Sequence, residues 1–184
     1  MKSSIIVLTF MLLLFAIPMG CKADEAVVLK EGDKAPEFSA VSDTGEIVSL
    51  KDFIGGKVVL YFYPKDDTPG CTMEACSFRD GFSEIEKAGA TILGVSLDNK
   101  ESHQKFKKKY NLPFTLLVDN NGEISKKYGV YKEYVPGILK LADRVTFLID
   151  EKGIIRKIFN KVDVSRHADE IKAELKVLEK EGVK

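Results

Sequence analysis

The run Val58-Val59-Leu60-Tyr61-Phe62-Tyr63 constrains the fold more than any other stretch of the chain. Its side chains are β-branched, aliphatic or aromatic at every position, as in a central strand covered on both faces. Pro64, Pro69 and Gly70 then break it. A helical pattern follows, with Ala75, Phe78, Phe82 and Ile85 on one stripe, and predicts a helix from about Thr72 to Ala88. Gly89 closes that helix, and Thr91 to Ser96 reads as the next buried strand. These elements form a strand, helix, strand unit.

The flanking sequence extends the pattern. Phe38 to Val41 and Ile47 to Leu50 enclose Ser42-Asp43-Thr44-Gly45-Glu46 and predict an N-terminal hairpin. A helix is expected over Lys100 to Tyr110, a strand at Phe114 to Val118 and a short helix at Glu123 to Tyr128. Val145 to Ile149 and Ile154 to Phe159 form a second hairpin around Asp150-Glu151-Lys152-Gly153, and Ser165 is expected to cap a last helix carrying Ala168, Ile171, Leu175 and Leu178 inward. Together these elements predict an α/β chain of thioredoxin-like type, a mixed central sheet flanked by helices with an N-terminal hairpin.

Composition and the N-terminus bound the setting. Lys plus Arg and Asp plus Glu each number 28, so no net field draws nucleic acid, and no nucleic-acid partner is expected. Ile5 to Ile17 is an apolar run, shorter than the ~20 residues of a bilayer span but suited to a secretory signal. We therefore read 1–20 as a signal segment, 21–31 as a tether and 32–184 as one domain, exported to the cell envelope or periplasm. Pro18-Met19-Gly20-Cys21 resembles a bacterial lipobox, departing from it at Pro18 and Met19. That resemblance implies a membrane anchor through lipidated Cys21; the alternative is plain cleavage near Ala23.

Cys71 and Cys76 lie at the breakpoint itself. A thiol reacts as its thiolate, and Cys71 stands at a helix start, where unpaired N–H groups and the helix dipole favour an anion. In an intact helix a five-residue step separates two Cα atoms by ~8.7 Å, beyond the ~7 Å that a disulfide allows. A bond between these two would require the helix start to unwind, which makes the pair a poor static staple. Cysteine counting alone leaves a structural bridge open in an exported protein.

The wider motif narrows the choice. Pro64-x-x-x-Thr68-x-x-Cys71 resembles the peroxiredoxin active-site signature, and Tyr63-Pro64-Lys65-Asp66-Asp67-Thr68-Pro69-Gly70-Cys71-Thr72-x-Glu74-Ala75-Cys76-x-Phe78-Arg79-Asp80 closely resembles the bacterioferritin comigratory protein, or Q-type, subfamily. The resemblance runs from about Gly32 to the C-terminal helix. It implies a peroxidase in which Cys71 attacks the peroxide and becomes a sulfenic acid, and Cys76 resolves it as an intramolecular disulfide. A thioredoxin-like donor would reduce that bridge. It further implies that Thr68 bonds the thiolate and the peroxide, that Pro64 shields the pocket and that Arg144 polarises the O–O bond. Backbone N–H groups at Gly70 and Cys71 would complete the donor set. No cofactor or metal is called for, and resolution within one chain implies a monomer rather than an obligate dimer.

Each residue also has a plainer reading. Thr68 could simply bond its own backbone, and Arg144 without its Thr146-Phe147-Leu148-Ile149-Asp150 context would be a surface arginine. Glu74 and Arg79 are supporting candidates that their spacing does not set face to face. His103 and His167 sit at no metal-ligand spacing with either cysteine and are expected on exposed helix faces, as is the basic run 105–109. Two other classes remain open: an exported thiol-disulfide oxidoreductase, which would normally carry Trp-Cys-x-x-Cys where this chain has no tryptophan, and a non-enzymatic envelope lipoprotein that kept the fold.

Overall fold

The computed structural model describes residues 27–182. The expected signal segment, Cys21 and the first part of the tether lie outside the described residues. The elements run β1 (Ser39–Val41), β2 (Ile47–Ser49), a 3-10 turn (Leu50–Phe53), β3 (Lys57–Phe62), α1 (Pro69–Lys87), β4 (Ala90–Ser96), α2 (Lys100–Tyr110) and β5 (Thr115–Val118). They continue as α3 (Glu123–Lys127), β6 (Tyr131–Val135), β7 (Leu139–Ala142), β8 (Val145–Ile149), β9 (Ile155–Phe159) and α4 (His167–Gly182).

Five strands form the central mixed sheet in the order β5-β4-β3-β8-β9. β3, β4 and β5 are parallel, while β8 runs antiparallel to β3 and β9 antiparallel to β8. This is the expected thioredoxin-like arrangement. The strand alternation on β3 decides what each face holds. Val58, Leu60 and Phe62 pack with Phe38, Leu50, Tyr128 and Phe147. Val59, Tyr61 and Tyr63 pack with Cys71, Ala75, Phe78 and Ile85 of α1 and with Ile171 and Leu175 of α4. Helices α1 and α4 therefore share one face of the sheet, and the N-terminal hairpin and α3 cover the other.

The structure corrects several expectations. Helix α1 starts at Pro69, three residues earlier than expected, because a proline at the first helical position comes with its φ preset and has no N–H to satisfy. Helix α4 starts at His167; the Ser165 hydroxyl donates to Asp163 Oδ1 at 2.7 Å within the preceding turn and does not cap it. The β6–β7 hairpin was not expected. Leu29, assigned to the tether, already packs against the core. Gly129, at φ +69°, lets the chain cross it so closely that an added Cβ would lie 2.1 Å from the Val27 carbonyl oxygen.

Both histidines, expected at the surface, are fully buried at 0% exposure. His103 shares the inward stripe of α2 with Phe106, and His167 shares that of α4 with Ile171 and Leu175. The His167 ring bonds Thr146 Oγ1 through Nε2 at 2.8 Å and faces Glu170 Oε2 through Nδ1 at 3.0 Å. Burial holds its pKa below the ordinary value, with Glu170 opposing the shift. The unfolded chain thus takes up a proton here more readily than the native one, so this contribution is present above pH ~6.5 and is lost as pH falls from there. Unfolding free energies from denaturant titrations between pH 7 and pH 5 should fall less steeply for His167→Gln than for the wild type, by at most ~1.4 kcal/mol per pH unit.

Candidate active site

The β3 strand ends at the foot of the loop 63–68, and Thr68 is the N-cap of α1. Cys71 is consequently the third helical residue. The first intrahelical bond, from Thr72 N–H to Thr68 O at 2.8 Å, closes the turn on which it sits. Its backbone N–H belongs to the group at a helix start that lacks intrahelical partners. Its side chain packs with Tyr61, Tyr63, Ala75 and Phe78 and is only 1% exposed.

The antiparallel register brings the second functional segment to the same place. Phe62 pairs with Val145, so Arg144, just before β8, stands level with the end of β3 where the loop departs. Its Nη2 donates to Cys71 Sγ at 3.3 Å, and its Nη1 pairs with Glu74 Oε2. Gly70 lies beside this pair: a Cβ there would stand 3.4 Å from Arg144 Nη2, in ordinary van der Waals contact. Arg144 thus bridges a sulfur and a carboxylate borne three residues apart on α1.

The electrostatics follow from burial. Burial pushes the Glu74 carboxyl up to about 7, against the opposing pull of Arg144. Burial draws the Arg144 guanidinium down, but Glu74 and Cys71 outweigh it and hold that cation above its ordinary range. Glu74 Oε1 and the Tyr61 hydroxyl are buried without a hydrogen-bond partner among the described residues. Burial, then Glu74, Asp66 and Cys71, raise the Tyr61 pKa well above the ordinary phenol value, so it stays a neutral phenol.

The other expected residues are distributed unevenly. Pro64 is half-buried at the start of the loop. The Thr68 hydroxyl donates to Lys65 O at 3.0 Å, its plainer reading. Cys76 is half-buried on the same unbroken helix, and both cysteines are free thiols. Ideal helix geometry puts their Cα atoms ~8.7 Å apart and ~140° around the axis. Arg79 reaches Asp80 Oδ1 at 2.8 Å and the Tyr110 carbonyl at 3.0 Å. Glu74, a supporting candidate in the sequence, is therefore the direct partner of Arg144, and Arg79 is not its mate.

Sequence reading also passed over Asp66 and Asp67. Asp66 accepts from the hydroxyls of Tyr63 and Ser102 at 2.8 and 2.7 Å, and His103 Nδ1 lies 2.9 Å from it. Asp67 accepts from Lys109 and from the Tyr110 hydroxyl, while Lys109 stays on the exposed helix face expected for the basic run. The only sequence signal was the period of His103, Phe106 and Tyr110 on α2, which turns the histidine inward.

The AhpC/TSA family model matches residues 31–158. A Coxiella burnetii (strain RSA 493 / Nine Mile phase I) protein carrying the peroxiredoxin bcp name is 51% identical over 145 residues, covering 78% of this chain and 96% of its own. Peroxiredoxin Bcp of Bacillus subtilis (strain 168) is 45% identical over 157 residues, covering 82% and 97%. The crystal structure of peroxidoxin BcpB from Mycobacterium tuberculosis superposes with a TM-score of 0.77 at 33% identity, covering 82% of this chain and 98% of that one. With a family model over most of its length and relatives matched nearly end to end, this chain belongs to the AhpC/TSA family, on the bacterioferritin comigratory protein or Q-type peroxiredoxin branch.

Proposed function

We propose that this thiol-dependent peroxidase reduces hydrogen peroxide and small organic hydroperoxides at Cys71 and recycles through a disulfide with Cys76. The observation that carries the reading is the Arg144 Nη2 donor 3.3 Å from the sulfur of a buried cysteine at a helix N-terminus. A fixed cation there favours the thiolate and meets the charge that grows on the departing oxygen. The Cys71 thiolate attacks the distal peroxide oxygen; the S–O bond forms as O–O breaks, and the leaving oxygen takes a proton as water or alcohol. The 1% exposure of Cys71 favours small peroxides.

Resolution needs the second thiolate to attack the sulfenic sulfur, forming S–S and releasing water. The unbroken α1 forbids this until its first turns open, since the ideal Cα separation of ~8.7 Å exceeds disulfide reach. A thioredoxin-like dithiol then returns two electrons by exchange. In this reading the Gly70 N–H adds a donor, Pro64 screens the sulfur from water, and the Thr68 hydroxyl must leave Lys65 O to meet the peroxide. All the chemistry lies within one chain, so the cycle demands no dimer and a monomer is favoured over an obligate dimer. The same reading places a domain from about residue 32 outside the cytosol, anchored through Cys21, and the intact mass of the exported protein tests the lipid.

One peroxide equivalent should lower the intact mass by two hydrogens, with the bond mapping to Cys71 and Cys76. Cys76→Ser should still form the sulfenic acid at an unchanged rate, while turnover with a dithiol protein donor drops at least about 10-fold because the resolving thiol is gone. Full turnover by that variant would remove Cys76 from the cycle.

A further inference from the structure

Two consecutive aspartates grip the two ends of one helix. Asp66 meets Ser102 and His103 in the first turn of α2, and Asp67 meets Lys109 and Tyr110 in its last. These two anchor points lie about 10 Å apart along the axis. Asp67 also takes a left-handed backbone, φ +57°, a conformation that aspartate visits more readily than most residues. The loop between β3 and α1 is thus clamped along α2 rather than merely spanning a gap.

The Asp66 side of the clamp is the buried one. Its carboxylate has the Tyr63 hydroxyl on Oδ1 and both the Ser102 hydroxyl and His103 Nδ1 on Oδ2. Its backbone N–H donates to Asp98 Oδ2 at 2.8 Å, and Asp98 in turn is held by the Ser96 hydroxyl at 2.7 Å. His103 Nε2 faces the Leu117 carbonyl at 3.2 Å. Every group in this chain has a partner, and it ties the loop to β4, β5 and the start of α2 together. A buried polar network that is fully satisfied specifies one geometry rather than several.

That geometry governs Cys71 through the chain itself. Only Asp67, Thr68, Pro69 and Gly70 separate Asp66 from the cysteine. The Thr68 carbonyl accepts the first helical bond, so its position sets the direction in which the free N–H groups of α1 point. A displacement of about 1 Å in such donors is enough to cost ~10²-fold in rate.

We propose that Asp66 and His103, with Tyr63, are positioning residues for Cys71: their buried network fixes the loop so that the N-terminus of α1 and Arg144 converge on the sulfur. This rests on Cys71 as the attacking thiol. It predicts a loss confined to reactions that need aligned donors. Peroxide reduction needs them; alkylation by iodoacetamide needs only an accessible thiolate.

The test uses the whole protein. For wild type, Asp66→Asn and Tyr63→Phe, the rate of Cys71 oxidation by hydrogen peroxide is measured by competition with a haem peroxidase, and Cys71 alkylation by iodoacetamide at the same pH. Asn at 66 swaps an acceptor for a donor in front of hydroxyl and imidazole partners; the oxidation-to-alkylation ratio should fall about 10-fold or more. Tyr63→Phe removes one donor and keeps the ring in the core, so it retains the fold if Asp66→Asn does not, and its ratio should fall about 3-fold. A ratio within 2-fold of wild type for Tyr63→Phe and for any folded Asp66→Asn would overturn the proposal, as would parallel losses of both rates. A wild-type Cys71 no faster with peroxide than free cysteine would overturn the underlying reading as well, and is seen without any variant.

Discussion

Cys71→Ser is expected to abolish peroxide consumption, lowering it by roughly 10⁴-fold or more. Removing the nucleophile from another covalent catalyst costs ~10⁶; the floor here is the slow reaction of the remaining Cys76 thiol. A hydroxyl ionises far less readily than a thiol, so neither the helix N-terminus nor Arg144 can rescue it. The oxygen is smaller than the sulfur it replaces and accepts the same Arg144 donor, so the site should stay packed and the thermal midpoint should change little. Peroxide loss in the presence of a dithiol donor, followed with a ferrous xylenol orange readout, measures the effect. Activity within 10-fold of wild type would shift the chemistry to Cys76 and remove the mechanism proposed above.

Arg144→Gln should have the next largest effect, a fall of about 10²- to 10³-fold in the second-order rate with peroxide, the usual cost of losing a donor aimed at developing charge. Glutamine is neutral and cannot replace a fork that spans Cys71 Sγ and Glu74 Oε2 together. Arg144→Lys restores the charge but not the span, and should recover about 10-fold of the loss. The stability effect has a pH signature. Glu74 is already raised to about 7 by burial, with Arg144 pulling it down, so deleting the cation leaves burial unopposed and raises it further. A carboxyl with a raised folded pKa supplies stability that is lost as pH rises through that value. The gap in stability between wild type and Arg144→Gln should therefore be small at pH 6 and widen as pH climbs past about 7. Denaturant titrations at pH 6 and pH 8.5 check it; a gap independent of pH would mean that Glu74 does not respond to Arg144.

The strand, break and helix from 58 to 87 were legible because prolines and a glycine punctuate an apolar run, and that punctuation locates Cys71 without any structure. The start of α1 was misplaced because hydrophobic periodicity begins only at Ala75, whereas the helix begins where Pro69 permits it. The β6–β7 hairpin left little pattern: Lys132 to Val135, Leu139 and Lys140 are all exposed, without inward–outward alternation, and Ile138 is 83% exposed. Pro136-Gly137 was the available turn signal. His103 was misplaced because α2 is dense in lysine, and only its period marks the inward stripe. Glu74 and Arg144 could not be joined by reading, since seventy positions separate them and the β3–β8 register is what closes the distance.

The crossing at Gly129 has a directional consequence. Val27 to Leu29 line the groove with Val130, Val145 and Phe147, on the sheet face away from the one that carries Cys71. The chain thus leaves the domain from behind its reactive sulfur. Under the anchored reading proposed above, a molecule held from that side would present its thiol away from the bilayer, where a protein-sized electron donor has room to dock.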